Sequence, residues 1–345
     1  MTEHDVLAAL APFNLRKMLD GVHVQDGMVQ VTLAIKREDA AELEPLRAKI
    51  ETVLAGLPGV KNASVVFTAH KPAAPVAAPA APILPGVKSV IAVASGKGGV
   101  GKSTVAVNLA VALAQAGFAT GLLDADIHGP SLPRMLGLSR KPEVRDGRMI
   151  PLEAWGVKCM SIGFLVEEET AMIWRGPMVT GALNQMLTQV EWGALDVLVI
   201  DMPPGTGDVQ LSLAQKANLA GAVVVSTPQD IALIDARRGI KMFEQVRVPV
   251  LGIVENMSFF ACPHCGERTH IFGHGGAQAE AARIGVPFLG GVPLLMDIRE
   301  TGDAGTPICA AAPESEEAGA FRAIAAKVAA ALTAARPEAP RIVIE

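Results

Sequence analysis

Residues Gly96-Lys97-Gly98-Gly99-Val100-Gly101-Lys102-Ser103 fit G-x-x-x-x-G-K-[ST], the spacing of a loop that holds the phosphates of a nucleotide. Glycines let the backbone turn until successive N–H groups converge on phosphate oxygens, and the positive end of the following helix adds to the attraction. Lys102 would reach the β and γ phosphates, the Ser103 hydroxyl would ligate Mg2+, and Thr104 continues the same turn. Two further patterns supply carboxylates. Val197-Leu198-Val199-Ile200 runs into Asp201, which would bring a carboxylate from a buried strand tip to the metal, and Met202 to Asp208 then forms a Gly-rich loop able to sense the γ phosphate. Leu122-Leu123-Asp124-Ala125-Asp126 puts two carboxylates at another strand end, one to orient an attacking water and one for Mg2+ or a water bound to it. Each carboxylate pattern alone is also what a strand running into a turn looks like.

Cys262-Pro263-His264-Cys265-Gly266 offers a different chemistry. Two thiolates can grip one metal, but neither a structural zinc site nor a four-iron cluster is complete with two. His270 and His274 would extend the pair to C-x2-C-x4-H-x3-H, a compact zinc site. A second copy of the loop across a two-fold axis would instead give four Cys. A redox dithiol is the third option, disfavoured because the pair does not open a helix. Cys159 and Cys309 are isolated and read as buried small apolar residues.

These residues need a scaffold, and the pattern supplies one. Strands are predicted near Ser89–Ala94, Thr120–Asp124, Leu195–Asp201, Ala222–Ser226 and Val250–Glu255, with a helix over Gly101–Ala116 and a packed terminal helix over Glu316–Ala335. Alternating strands and helices imply right-handed βαβ units, a mostly parallel sheet, and ligands beyond the carboxyl ends of the strands. Residues 71–87, with five Pro among Ala and Val, read as an extended linker. Before it, residues 1–70 predict a small α+β domain: helix Asp5–Ala11, strand Val29–Ile35, helix Asp39–Leu57, strand Ala63–Ala69. The main domain is expected over 88–335 and a tail over 336–345.

Half of the 345 residues are hydrophobic, only 4% are aromatic and Tyr is absent, so the core must be Val, Ile, Leu and Ala, which suits buried parallel strands. A net charge of −5 gives no general pull toward nucleic acid or anionic lipid, and neither is expected as a partner. Four Cys are too few for a disulfide framework. The polar, acidic start and the lack of roughly 18 uninterrupted apolar residues predict a cytoplasmic protein.

KGGVGKST, with Lys97 directly after the first Gly, resembles the deviant Walker A of the family that includes nitrogenase iron protein, MinD and ParA. LLDADIHGPSLP, VLVIDMPPGTGD, VVVSTPQDIALIDARRGI, VENMSFFACPHCG and HIFG narrow the resemblance to the Mrp/ApbC group of iron–sulfur cluster carriers over residues 88–335. The small domain resembles the MIP18 type, without its Cys. The resemblance implies a P-loop NTPase fold and slow ATP hydrolysis by a homodimer, with Lys97 reaching the partner's phosphates, Lys102 holding its own and Asp126 positioning water. It implies Asp201 at the Walker B position with Asp124 beside Mg2+, and Asn256 reading adenine. Cys262 and Cys265 would then supply half the ligands of a [4Fe–4S] cluster shared between two chains, passed between assembly scaffolds and apo iron–sulfur proteins. The competing expectation is a MinD/ParA-like positioning ATPase with a structural zinc site.

Overall fold

The computed structural model describes residues 3–13, 15, 18–25, 27–35, 39–68, 83–127, 129–166 and 176–334. The chain divides into two compact units, Met1–Ala80 and Ala81–Glu345. The expected tail and residues 71–82 of the expected linker lie outside the described residues, as do Ala69 and Ala335 at the ends of two predicted elements.

In the small unit α1 (Glu3–Leu10) precedes β1 (Leu19–Gln25), β2 (Met28–Ala34), α2 (Ala40–Ala55) and β3 (Asn62–Thr68). β2 is central, antiparallel to β1 and parallel to β3. Its alternate residues Val29, Val31 and Leu33 are buried with Val6, Leu10, Ile50, Leu54 and Val65. Strand β1 is absent from the sequence expectation, which has two strands here. Its residues, LDGVHVQ, mix Asp, Gly and His into a weak alternation, and an edge strand owes its shape to hydrogen bonds from its neighbour.

The large unit begins with β4 (Val87–Ala94), α3 (Lys102–Gln115), β5 (Thr120–Asp124) and α4 (Leu132–Met135). A small hairpin, β6 (Val144–Arg145) and β7 (Arg148–Met149), leads to β8 (Leu152–Ala154) and β9 (Val157–Ser161). Then come α5 (Gly176–Thr188), β10 (Leu195–Asp201), α6 (Asp208–Lys216), β11 (Gly221–Ser226) and α7 (Asp230–Gln245). The chain continues through β12 (Val250–Ala261), β13 (Arg268–Thr269), α8 (Gly276–Ile284), β14 (Phe288–Leu294), α9 (Met296–Asp303), α10 (Ile308–Ala311) and α11 (Glu316–Ala334). The nine-stranded sheet runs β13-β12-β11-β4-β10-β5-β9-β8, with β14 also on β12. Within this sheet, among the described residues, only β8 and β13 pair antiparallel. β5 and β11 are buried throughout, the pattern of strands covered on both faces. The terminal helix α11 packs on α3 and β14, burying Phe321, Ile324 and Val328. Among the described residues no helix is long and apolar enough to cross a membrane.

All five predicted strands of this unit form. Strands β9 and β14 were not expected, because VKCMS is short and polar-punctuated and FLGGVPL carries two Gly and a Pro. The fold positions the site through register. β10 lies between β4 and β5, and Asp201 is level with both Val93 and Asp124. Successive strands depart to opposite sides of β4, so the switch point at which such sheets bind their ligands lies where β4 ends.

Candidate functional site

Ser95 to Gly101 link β4 to α3, with Gly99 and Gly101 at φ +79° and +78°. More than backbone freedom requires glycine here. A Cβ at Gly96 would lie 2.1 Å from the Asp235 carbonyl oxygen of α7, and one at Gly101 would lie 2.1 Å from Asn256 Nδ2 of β12. The loop is thus pressed between two elements, and Gly98 and Gly99 face outward. The Ser95 hydroxyl donates to the Lys97 carbonyl at 2.8 Å, and the Gly205 N–H donates to the Ser95 carbonyl at 2.9 Å. That second bond joins the two Gly-rich loops. Gln210 holds the second loop from behind, donating to the Pro204 carbonyl at 2.6 Å.

The charged groups meet inside this frame. Lys102 is 6% exposed, and its Nζ lies 2.5 Å from Asp201 Oδ1, 3.3 Å from the Ser103 hydroxyl and 3.8 Å from Asp126 Oδ2. Asp201 is fully buried and its Oδ2 has no hydrogen-bond partner. Burial raises the Asp201 pKa, and the Lys102 ammonium works against that rise. A buried carboxylate oxygen left bare beside a hydroxyl suits a hard cation, so the donor set fits Mg2+. Lys97 is half-buried in the loop.

Asp124 is also fully buried, and its pKa is pushed up to about 7 by burial and by the neighbouring Asp201 charge. Its oxygens accept from the N–H groups of Asp126, Ser131 and Leu132 at 3.1, 3.2 and 3.3 Å and from the Ser161 hydroxyl at 3.0 Å. Those four bonds tie the segment bearing Asp126 to β5 and β9. Ser161 and Gln210 escape sequence reasoning because no motif marks a residue that acts by holding another. Asn256 is buried and donates through Nδ2 to the Val100 carbonyl at 2.8 Å. In this structure it holds the phosphate loop.

The cysteines sit elsewhere on the same strand. β12 does not stop at Glu255, as predicted, but continues past a register shift between Asn256 and Phe260 and turns back as β13. Met257, at φ +57°, makes the irregularity. Cys262 to Glu267 form the hairpin tip, closed by Cys262 N–H to the Glu267 carbonyl at 2.9 Å and Gly266 N–H to the Cys262 carbonyl at 2.8 Å. Both thiols are free and reach the surface. The backbone N–H groups of His264 and Cys265, together with the Cys265 side chain, hold the Cys262 thiol below its ordinary range. His270 Nδ1 lies 3.2 Å from the Ser258 carbonyl and 3.3 Å from His274 Nδ1. Among the described residues no three His, Cys, Asp or Glu side chains gather to hold a metal, so cysteines and histidines stand as two pairs. Cys159 and Cys309 are buried, which pushes both thiols up to about 12.

The profile of the ParA family described as NUBPL iron-transfer P-loop NTPase matches residues 86–329. The chain belongs to this family. The match leaves the small unit outside it. Among relatives, an iron–sulfur cluster carrier protein of Synechocystis is 48% identical over 318 residues, 90% of each chain. An Arabidopsis thaliana iron–sulfur protein required for mitochondrial NADH dehydrogenase is 57% identical over 247 residues, 71% of this chain and 79% of that one. Among solved structures, a nucleotide-binding protein of Archaeoglobus fulgidus in complex with ADP is 44% identical with a TM-score of 0.57, covering 64% of this chain and 87% of that one. The matched range includes both the phosphate loop and the cysteine hairpin.

Proposed function

We propose that this protein binds and slowly hydrolyses ATP as a cytoplasmic homodimer and carries an iron–sulfur cluster, delivering it from assembly scaffolds to apo-proteins. The observation that carries this reading is the hairpin tip, which presents two thiols that, among the described residues, join no group of three metal-ligating side chains, while standing on a strand that touches the phosphate loop. Two chains related by a two-fold axis would present four thiolates, the complement a [4Fe–4S] cargo takes. The relatives' names support the carrier over the positioning ATPase.

The division of labour follows from chemistry. Lys102 exchanges its carboxylate partners for the β and γ phosphates, and the N–H groups of residues 96–101 and Thr104 receive the remaining oxygens. Ser103 and Asp201, with Asp124 beside them, hold Mg2+, which supplies positive charge against the phosphate oxygens. Asp126 orients the attacking water, Lys97 serves the partner's nucleotide, and Asn256 turns to the adenine. The small unit is a MIP18-like accessory, joined through the Pro- and Ala-rich stretch expected from residue 71, which must end before Leu84 because that residue packs in the large unit's core.

Anaerobic reconstitution tests the reading. Expected are absorption near roughly 400 nm and iron approaching about two atoms per chain, half of a shared cubane. Cys262→Ala or Cys265→Ala should abolish both and spare ATP binding, while His270→Ala and His274→Ala should keep the iron. One colourless zinc per chain, lost in all four variants, would sink the carrier.

A further inference from the structure

Between the two sites, β12 is neither regular nor relaxed. Asn256 is hydrogen-bonded to the phosphate loop through Val100, and the Met257 methyl carbon lies 3.7 Å from where a Cβ of Gly101 would stand. Met257 occupies the left-handed region, which side chains rarely adopt. Immediately beyond, the Ser258 hydroxyl donates to the Val292 carbonyl at 3.2 Å and its own carbonyl faces His270 across the hairpin. The register with β14 slips over this stretch, and Phe260 and Ala261 then pair with β13 to frame the cysteine tip. A conformation this unfavourable persists only where its surroundings enforce it, and here one surrounding is the phosphate loop.

We propose that the Asn256–Met257 bulge is the mechanical link by which phosphate-loop occupancy sets the posture of Cys262 and Cys265. It rests on the functional reading above and adds the route. A nucleotide that draws the Asn256 amide from Val100 releases one side of the bulge. Met257 relaxes, and the rotation passes through Ser258 into the hairpin, because β12 is covalently continuous and only four residues separate Met257 from Cys262. The coupling is reciprocal: a cargo that fixes the hairpin shifts nucleotide affinity by the same factor.

The test uses the full chain without cargo. Maleimide labelling of Cys262 and Cys265 is followed by peptide mass spectrometry without nucleotide, with MgADP and with a non-hydrolysable ATP analogue, and nucleotide occupancy is measured in the same samples. Saturation should change labelling by about threefold or more in the wild type. Met257→Gly, free to occupy the left-handed region, turns the bulge into a loose joint. It should bind nucleotide yet show less than about half that response, whereas Met257→Leu should retain it. Unchanged wild-type labelling at proven saturation would overturn the link and leave the carrier reading standing, as would a full response in a folded Met257→Gly. Failure of the wild type to bind nucleotide at all would overturn both.

Discussion

The phosphate loop and the cysteine hairpin, two stations along one strand, are built in opposite ways. At the first, charge is buried and paired in advance: Lys102 is 6% exposed between Asp201 and Asp126, and Asp124 is fixed by four donors. At the second, one thiol is exposed and the other half-buried, and the pair is half of what a four-iron cluster takes. Preorganised charge in a low dielectric suits chemistry repeated on the same substrate, because nothing must be reorganised at the moment of reaction. An open, half-complete site suits a cargo that must leave, because a recipient's ligands can reach it.

Lys102→Ala should break that comparison most severely. It leaves Asp201 as an unpaired buried carboxylate, a loss of about 3 kcal/mol partly relieved by proton uptake. ATP turnover should fall by at least about 100-fold with nucleotide affinity, while reconstituted iron stays near the wild-type level. Loss of iron would show that cluster loading itself requires an occupied phosphate loop, a dependence stronger than the shift in cysteine posture proposed above.

Asp126→Asn sharpens the assignment within the first station. Turnover should drop about 100-fold, with nucleotide affinity changed less than about threefold. Equal loss of affinity in this variant and in Lys102→Ala would contradict the separation between holding phosphate and acting on water.

Lys97→Ala carries the comparison across the dimer. Turnover should fall roughly tenfold in a folded protein, and wild-type turnover per chain should fall on dilution below the dimer affinity. Constant turnover on dilution would make Lys97 a residue of its own loop.

A smaller effect concerns the scaffold beneath both stations. Arg283 and Arg237 hold the Glu280 pKa down to about 2, with a bidentate contact from Arg237 at 2.7 and 3.1 Å joining α7 to α8. A folded-state value below the unfolded one means stability is present above pH ~4.5 and is lost as pH falls toward ~2. With both guanidinium groups half in solvent, the contribution is about 1–2 kcal/mol. Glu280→Gln should flatten this acid limb in denaturation measured against pH. An unchanged limb would assign it to other carboxylates.

The smallest change should follow removal of the small unit. Leu84 is 7% exposed in the large unit's core, so the cut belongs before it. A chain starting at Ala81 should bind and hydrolyse ATP at about the wild-type rate. Insolubility or lost binding would show that the units depend on each other.

Much of this was legible from residue order alone, for identifiable reasons. A phosphate loop must be contiguous, because successive N–H groups converge on one anion, so eight adjacent residues announce it. Strands buried on both faces must be apolar, so β4, β5, β10 and β11 stand out, and the final aspartates of β5 and β10 were read as lying at strand ends. Two thiols on one tight turn are likewise local. What the sequence by itself determined is therefore chemistry written within a few residues and carried by strong apolar runs. Only the tertiary structure decided which partner each group has in the folded chain: Lys102 on Asp201, Asn256 on Val100, Ser161 on Asp124. It also decided that β12 runs on through a left-handed Met257 to carry the cysteines. Those contacts join residues 37 to 156 positions apart, and the long-range register of a sheet has no signature in the local spacing of side chains.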